Sequence, residues 1–327
     1  MSINPQMLAV RDAAATAAAY ARELLMILPV AKDLTPITYV PSPYQHMTPD
    51  RWQLMLDALT FEQMDSRRVT IETAHAETYR RLLNHSDYQE WLDRGKLTQQ
   101  DGFLWISGQP GAGKSTIMKF AYSKMKSKAH SRQAVIASFS FIARGESSER
   151  SILGMYRSSL FQLLQGYSDL QIMLDDPDIV PRGQNGCPSL TVLKALFRHG
   201  VSALSQRPFT YFVDALDECD QQQIVDMVRY FEDLAEKSVV NGVPFRICFS
   251  GRRYPYINIR RGIRLTLEAQ QGHAEDLEKY VTRYLQLENA TLVGELLEKA
   301  AGVFLWVVLV VNIPNREINH GELALRK

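Results

Sequence analysis

The chain has 327 residues, of which 46% are hydrophobic and 22% charged, a composition typical of a globular protein with one large core. Lysine and arginine number 37 and aspartate and glutamate 36, so the formal net charge is +1. A chain this close to neutral lacks the strong charge of nucleic-acid or membrane-surface proteins, and we expect neither as a partner.

The cysteine spacing and the hydropathy of the chain indicate the cellular compartment in which the protein is expected. The three cysteines, Cys187, Cys219 and Cys248, lie far apart, so neither a disulfide framework nor a zinc site is indicated. The longest apolar run, Val303 to Val311, has about nine residues, against roughly twenty for a bilayer crossing, and it predicts a buried helix. No secretory signal is recognisable at the N-terminus. We expect a cytoplasmic protein.

The N-terminal part divides into two predicted regions. Residues 1–50 read as an Ala-rich helix followed by a Pro-rich linker, which contains Pro36, Pro41, Pro43 and Pro49. Residues 51–98 have helical periodicity in their apolar residues. We interpret this second region as a helical lead-in to the main core.

Residues 108–115 read GQPGAGKS and fit the pattern G-x-x-x-x-G-K-[ST] in full. A short apolar run, Phe103 to Ile106, precedes them and predicts a buried strand. From Thr116 onward the pattern is helical. Strand, Gly-rich turn and helix is the order that a phosphate-binding loop requires.

The residue types of this loop suit a triphosphate. The glycines Gly108, Gly111 and Gly113 permit a nest of backbone N–H groups, and the helix N-terminus adds positive charge. We expect Lys114 to reach the β- and γ-phosphates and Ser115 to bind Mg²⁺. The predicted nucleotide-binding residues are Gly108, Gln109, Pro110, Gly111, Ala112, Gly113, Lys114, Ser115 and Thr116, the last of which could also simply begin the helix.

A second segment, FTYFVDALDECD from Phe209 to Asp220, supplies an apolar strand that ends in carboxylates. Asp214 at the strand's end is the predicted second Mg²⁺ ligand. Asp217 and Glu218 follow, and one of them could orient or deprotonate the attacking water. The alternative is that these acids form only a helix N-terminus favoured by the dipole.

Further strands and helices alternate as a parallel sheet demands. We predict strands at 134–141 and 245–249, helices at 151–164 and 190–204, and an irregular loop at 175–188. Arg252, shortly after the predicted strand at 245–249, could contact the γ-phosphate, or be an ordinary surface arginine. After Pro255 we predict helices at 274–287, at 291–301 and from 303 onward.

These segments resemble the NACHT branch of the STAND signal-transducing ATPases, in the form found in fungal NLR-like proteins with a nephrocystin 3-like N-terminal domain. The segments that carry the resemblance are GFLWISGQPGAGKST, SFSFIARG with SILGMYRSSLFQLL, YFVDALDECD, FRICFSGRRYP and AGVFLWVVLVVNI. The acids of DALDECD and the final apolar segment are its more specific features. The resemblance covers about two thirds of the chain.

The resemblance implies an α/β fold of the P-loop NTPase type with three layers and a parallel sheet, AAA+/STAND-like, with helices before and after it. It implies a nucleotide core at 99–256 and the start of a helical domain at 257–327, truncated before the winged-helix part whose histidine holds the ADP phosphate. Residues 1–50 would be a reduced effector region. In this family ADP keeps the protein closed, ATP permits assembly, and oligomerisation drives innate immunity or programmed cell death.

We expect ATP or ADP and Mg²⁺ as cofactors, slow hydrolysis if the site is active, and a homo-oligomer or protein partners. ATP is favoured over GTP because the chain has no N-K-x-D guanine motif. Two alternatives stay open. One is a non-hydrolysing adaptor or scaffold that acts through protein contacts, and the other is a small-molecule or nucleotide kinase.

Overall fold

In the computed structural model, the described residues are 49–62, 80–181, 186–253, 258–270, 272–285 and 290–319. The predicted helix and linker of residues 1–48 therefore lie outside the described part of the chain. Contacts group residues 47–327 into one compact unit.

The centre of this unit is a parallel sheet of five strands in the order β2-β3-β4-β1-β5. The strands are β1 (Phe103–Ser107), β2 (Val135–Ser140), β3 (Phe209–Asp214), β4 (Phe245–Gly251) and β5 (Ile263–Thr266). Phe103 pairs with Ile247, and Phe209 with Phe245. Strand β3 lies between β2 and β4, and all six of its residues are buried.

Successive side chains of β1 lie on opposite faces of the sheet, and each face has its own part of the core. Phe103 and Trp105 join one buried cluster, whereas Leu104 and Ile106 join the other. Because both faces are covered, the strands read as continuous apolar runs. The predicted three-layer α/β architecture is confirmed.

One layer consists of α1 (Pro49–Leu59), α6 (Ile152–Gly166), α7 (Leu190–Ser202) and α8 (Gln221–Val240). A 3₁₀ segment, Ser168–Asp175, also packs here. The N-cap of α8 is Asp220, whose carboxylate accepts the Gln223 N–H at 3.1 Å. The helix-terminus alternative therefore describes Asp220 but leaves the three earlier acids to be explained.

The opposite layer consists of α5 (Lys114–Arg132) and the lead-in helices, which are α2 (Arg80–Asn84), α3 (Ser86–Leu92) and α4 (Leu97–Gln100). A 3₁₀ turn, Arg94–Lys96, joins α3 to α4. The Trp91 indole N–H donates to the Gly102 carbonyl at 2.8 Å. Arg246 of β4 donates to the carbonyls of Trp91 and Leu92, both at 2.9 Å. These bonds fasten α3 to the sheet.

Three helices complete the described chain: α9 (His273–Tyr284), α10 (Ala290–Ala300) and α11 (Phe304–Asn319). They share a separate apolar cluster that includes Leu277, Val281 and Val307. None of the helices within the described ranges combines the length and apolarity that a membrane crossing requires.

Two predictions from the sequence were wrong in part. After Pro255 only helices were predicted, the first of them from residue 274, but Ile263–Thr266 is an edge strand of the sheet, past the predicted core boundary at residue 256. Four residues give too short an alternation to reveal it. The run Val303 to Val311 was predicted as buried, yet Leu305 and Leu309 are 54% and 57% exposed. The helix is apolar around more of its surface than its neighbours cover.

Candidate nucleotide-binding site

The loop at 108–113 connects the carboxyl end of β1 to the first residue of α5, Lys114. Gly111 and Gly113 have φ angles of 78° and 94°, which residues with a Cβ rarely adopt. Gly108 is not in this left-handed region. It is required by close approach, since a Cβ there would lie 2.8 Å from a carboxylate oxygen of Glu268.

Lys114 lies over the loop from which it emerges. Its ammonium group donates to the carbonyls of Gly108 and Gln109, each at 2.9 Å. Burial lowers its pKa, and the carboxylates of Asp217, Asp214 and Glu268 act in the opposite direction. The charges that reach Lys114 therefore include Asp214 and Asp217, two of the three acids predicted from the β3 segment.

Asp214 ends β3 and is 3% exposed. The Ser250 hydroxyl, on neighbouring β4, donates to one of its carboxylate oxygens and accepts the Ala215 N–H at 3.3 Å. Ser250 is fully buried and was not found by the sequence reasoning. It orients the carboxylate within the sheet edge.

Ser115 and Asp214 line one small cavity of about 30 Å³, together with Ser138 and Ser140 of β2. Hydroxyl and carboxylate oxygens are donors that Mg²⁺ prefers. In the described part of the chain no cluster of three or more His, Cys, Asp or Glu side chains surrounds a metal position. The residues present therefore fit an ion that takes its remaining ligands from phosphate and water.

The next two acids face different neighbours. Asp217 forms an ion pair with Arg252, with Asp217 Oδ2 2.7 Å from Arg252 Nε, and its other oxygen accepts the Arg252 N–H at 3.1 Å. Glu218 accepts the Ala143 N–H at 2.7 Å, from the loop after β2. Both carboxylates thus connect loops at the carboxyl edge of the sheet, beside the phosphate-binding loop.

Glu268 is a further acid of the site that was missed. It lies in a 3₁₀ turn directly after β5, and its side chain is 9% exposed. One carboxylate oxygen accepts the Gln109 N–H at 2.9 Å and lies 3.2 Å from an Arg253 nitrogen. The other oxygen is buried, with no hydrogen-bond partner in the described ranges. Recognising β5 would have placed Glu268 beside the loop after β1, because the two strands are neighbours.

The start of α11 also contacts the loop. The Leu305 N–H donates to the Gly111 carbonyl at 2.9 Å, and a Cβ on Gly111 would lie 2.9 Å from a methyl carbon of Val303. The His273 ring is 2.8 Å from the Gly302 carbonyl, just before these residues. The turn before α11 is thereby attached both to α9 and to the phosphate-binding loop.

The family described as Nephrocystin 3, N-terminal, matches residues 77–252. The chain belongs to this family. The match begins in the lead-in helices, passes through the Gly-rich loop and the acids after β3, and ends at Arg252. Its span and these motifs make the chain a P-loop NTPase module of the NACHT/STAND kind.

A curated relative of this nephrocystin 3 family chain is the vegetative incompatibility protein HET-E-1 of Podospora anserina, which is 24% identical over 255 residues. The alignment covers 72% of this chain but 18% of that protein. The chain therefore spans about a fifth of the length of this relative.

Three solved structures are similar to parts of the chain at low identity. A STAND protein with a tetratricopeptide repeat sensor from Pyrococcus horikoshii has a TM-score of 0.42 and 12% identity, over 67% of this chain and 28% of that one. Cdc6p from Pyrobaculum aerophilum has a TM-score of 0.44 and 12% identity, over 79% and 66%. The Orc1 protein of Aeropyrum pernix, solved in complex with DNA, has a TM-score of 0.45 and 11% identity, over 81% and 65%.

Proposed function

We propose that the chain is an ATP-binding switch module that hydrolyses ATP slowly. One observation carries the proposal: the loop lysine, Lys114, lies within electrostatic reach of Asp214, Asp217 and Arg252 at the carboxyl edge of the sheet. Ligands of open parallel sheets bind at this edge. The chemistry of each group suits a part of a bound nucleotide triphosphate.

In this proposal the backbone N–H groups of residues 108–116, other than Pro110, which has none, surround the phosphates, and Lys114 exchanges its two carbonyl acceptors for β- and γ-phosphate oxygens. Ser115 and Asp214 hold Mg²⁺, supported by the small cavity that they share. The ion, when bound, would neutralise charge on the phosphate oxygens. Arg252 would add positive charge near the γ-phosphate.

Glu218 and Asp217 are the proposed water-orienting groups. Glu218 reaches the loop after β2 through Ala143, whereas Asp217 is already paired with Arg252. Arg252 engages both oxygens of Asp217, one through its side chain and the other through its backbone N–H, so the contacts of Asp217 suit the positioning of Arg252. Glu218 is therefore the stronger candidate for this role, and Asp217 the positioning group for Arg252.

The contact between the loop and α11 supports a switch. Because the Leu305 N–H bonds to the Gly111 carbonyl, a change in loop conformation on phosphate binding would be transmitted to α11. By analogy with the incompatibility protein that it resembles, the module would control assembly in fungal self-recognition or programmed cell death. Its partners would be further copies of itself or other proteins in the cytoplasm.

A second candidate is an adaptor whose nucleotide is structural. It is favoured by the contacts of Asp217 and Glu218, both of which connect loops in the way that purely structural acids do. Such a protein would bind nucleotide and release no phosphate.

The deciding experiment measures bound nucleotide and its turnover. The purified chain is denatured, the released nucleotide is identified, and phosphate release is followed for the wild type, Lys114→Ala and Glu218→Gln. We expect ADP or ATP to co-purify, and turnover to fall to the Lys114→Ala background in Glu218→Gln, whose amide oxygen can still accept the Ala143 N–H. Glu236→Gln, at an exposed carboxylate of α8, is the matched control.

Nucleotide binding without turnover above the Lys114→Ala background would favour the adaptor. Unchanged ATP affinity in Lys114→Ala would overturn the site itself, and with it both candidates.

A further inference from the structure

A second cavity, of about 680 Å³, lies away from the phosphate-binding loop. Its sheet-side lining comes from the beginnings of strands, including Ile136, Thr210 and Arg246, whereas the loop follows the end of β1. On α5 it begins near Lys124, ten residues and about 15 Å of helix beyond Lys114. The two sites therefore occupy opposite edges of the sheet.

The floor of this cavity is apolar. Helix α3 and the preceding helix contribute Leu83, Tyr88 and Leu92, and α5 contributes Met125. A cavity of this size, with an apolar lining, is in the range of small-molecule sites. If only water fills the cavity, its apolar lining stays hydrated, which costs free energy in proportion to the area of that lining.

The polar part of the lining is cationic. Among the described residues that line the cavity, four are basic and none is acidic: Arg94, Lys124, Lys128 and Arg246. Within the described ranges, Arg94, Lys124 and Lys128 make no ion pair. Lysines on the exposed face of a helix are ordinarily only solvated, but here they border an apolar cavity beside a buried arginine.

Arg246 makes the basic cluster unusual. It is 6% exposed and held by the carbonyls of Trp91 and Leu92 rather than by a carboxylate. Burial, followed by the charge of Arg94, lowers its pKa to about 10. The charge of Asp93 acts in the opposite direction, but within the described ranges no carboxylate bonds to this buried guanidinium, and an anion bound nearby would recover part of the free energy that its burial costs.

We propose that this cavity binds a small anionic amphiphile, with its acyl or alkyl body on the apolar floor and its phosphate or carboxylate head among Lys124, Lys128 and Arg94. The apolar floor and the basic rim together define this class, since free phosphate would use only the rim and an uncharged lipid only the floor. Nothing in the proposed ATP chemistry requires the site.

The test is calorimetric titration of the full chain with octyl phosphate and octanoate, compared with octanol and inorganic phosphate. We expect the two charged amphiphiles to bind, and octanol and inorganic phosphate to bind at least tenfold more weakly. The double variant Lys124→Glu/Lys128→Glu, at exposed positions of α5, should weaken octyl phosphate binding by roughly tenfold or more, because two attractive charges become repulsive.

The matched control is Arg229→Glu/Lys237→Glu, which makes the same charge change on exposed positions of α8 in the opposite layer. It should leave octyl phosphate affinity unchanged. Equal affinity for inorganic phosphate and octyl phosphate would overturn the amphiphile assignment. Absence of binding, or binding that the α5 reversals do not weaken, would overturn the site, and nucleotide affinity of both variants confirms that they are folded.

Discussion

At the residue scale, the site depends on a balance of charge around the phosphate-binding loop. Lys114 and Arg252 are opposed by Asp214, Asp217 and the unforeseen Glu268. The proposed roles of Mg²⁺ ligand and water-orienting group both need a carboxylate, whereas Glu268 already accepts the Gln109 N–H. Its negative charge beside an anion site therefore calls for a separate test.

We predict that Glu268→Gln binds ADP more tightly, by roughly threefold to tenfold, because a partly buried like charge near the phosphates is removed. The amide oxygen can still accept the Gln109 N–H, so the loop keeps that bond. Titration with a fluorescent ADP analogue measures the change, and Glu298→Gln, at an exposed position of α10, is the control. Weaker binding in Glu268→Gln would mean that the carboxylate itself contacts the nucleotide.

The thiols give a prediction that is independent of nucleotide. Burial raises the pKa of Cys219 from its ordinary 9.0 to about 11, whereas Cys187 is exposed. Since the thiolate is the reactive form, iodoacetamide at pH 8 should modify Cys187 well before Cys219. The Cys219 rate should rise as pH approaches 11, and mass spectrometry of peptides follows both sites. Equal rates at pH 8 would show that Cys219 is not held as described.

The same shift has a consequence for stability. The folded state retains the Cys219 proton between pH 9 and about 11, where the unfolded state releases it. This group's contribution to the free energy of unfolding is therefore complete below pH 9 and falls as pH rises through that window. The difference in stability between the wild type and Cys219→Ser should shrink accordingly, which denaturant unfolding at several pH values measures.

At the element scale, the attachment of α11 to the loop is the feature that links the nucleotide site to the C-terminal helices. A methyl group on Gly111 would meet Val303 at 2.9 Å and Leu305 at 3.1 Å, at a φ of 78°. We predict that Gly111→Ala displaces the start of α11 and speeds exchange of the Leu305 amide by about tenfold or more, since a left-handed residue alone costs about 1–2 kcal/mol.

The matched control for this change is Gly294→Ala in α10. Nothing lies within 4 Å of a Cβ there, and the glycine is inside a helix. Alanine should therefore stabilise the chain by about 0.5–1 kcal/mol without altering the Leu305 amide. Hydrogen exchange resolved by mass spectrometry distinguishes the two variants. If exchange of the Leu305 amide is unchanged in Gly111→Ala, the start of α11 is not coupled to the loop.

At the scale of the whole molecule, nucleotide binding should stabilise the folded state by mass action. At a concentration of ADP and Mg²⁺ about 100 times the Kd, the expected gain is about 2.7 kcal/mol, or a rise in Tm of roughly 4 °C for a chain of this size. Lys114→Ala should show no such rise under the same conditions. Thermal scans at several ADP concentrations measure it, and an equal rise in Lys114→Ala would place the binding elsewhere.

Much of this protein follows from its sequence alone. The loop 108–115, the strand before it and the acids after Val213 are local patterns, because a phosphate cradle and a buried strand each require particular residue types at fixed spacing. Such patterns determined the fold class, the family and the chain segments that form the site. The four-residue strand β5 was too short to leave a comparable pattern.

Only the tertiary structure decided which groups meet. Glu268, Ser250 and Val303 lie far along the chain from the loop or from Asp214. The sheet order brings the first two to their neighbours, and the packing of the turn before α11 against the loop brings Val303 to Gly111. The same holds for Arg94, Lys124 and Arg246, which are unremarkable in sequence and share a cavity in space. Contacts between distant segments depend on strand order and helix packing, which no local pattern encodes.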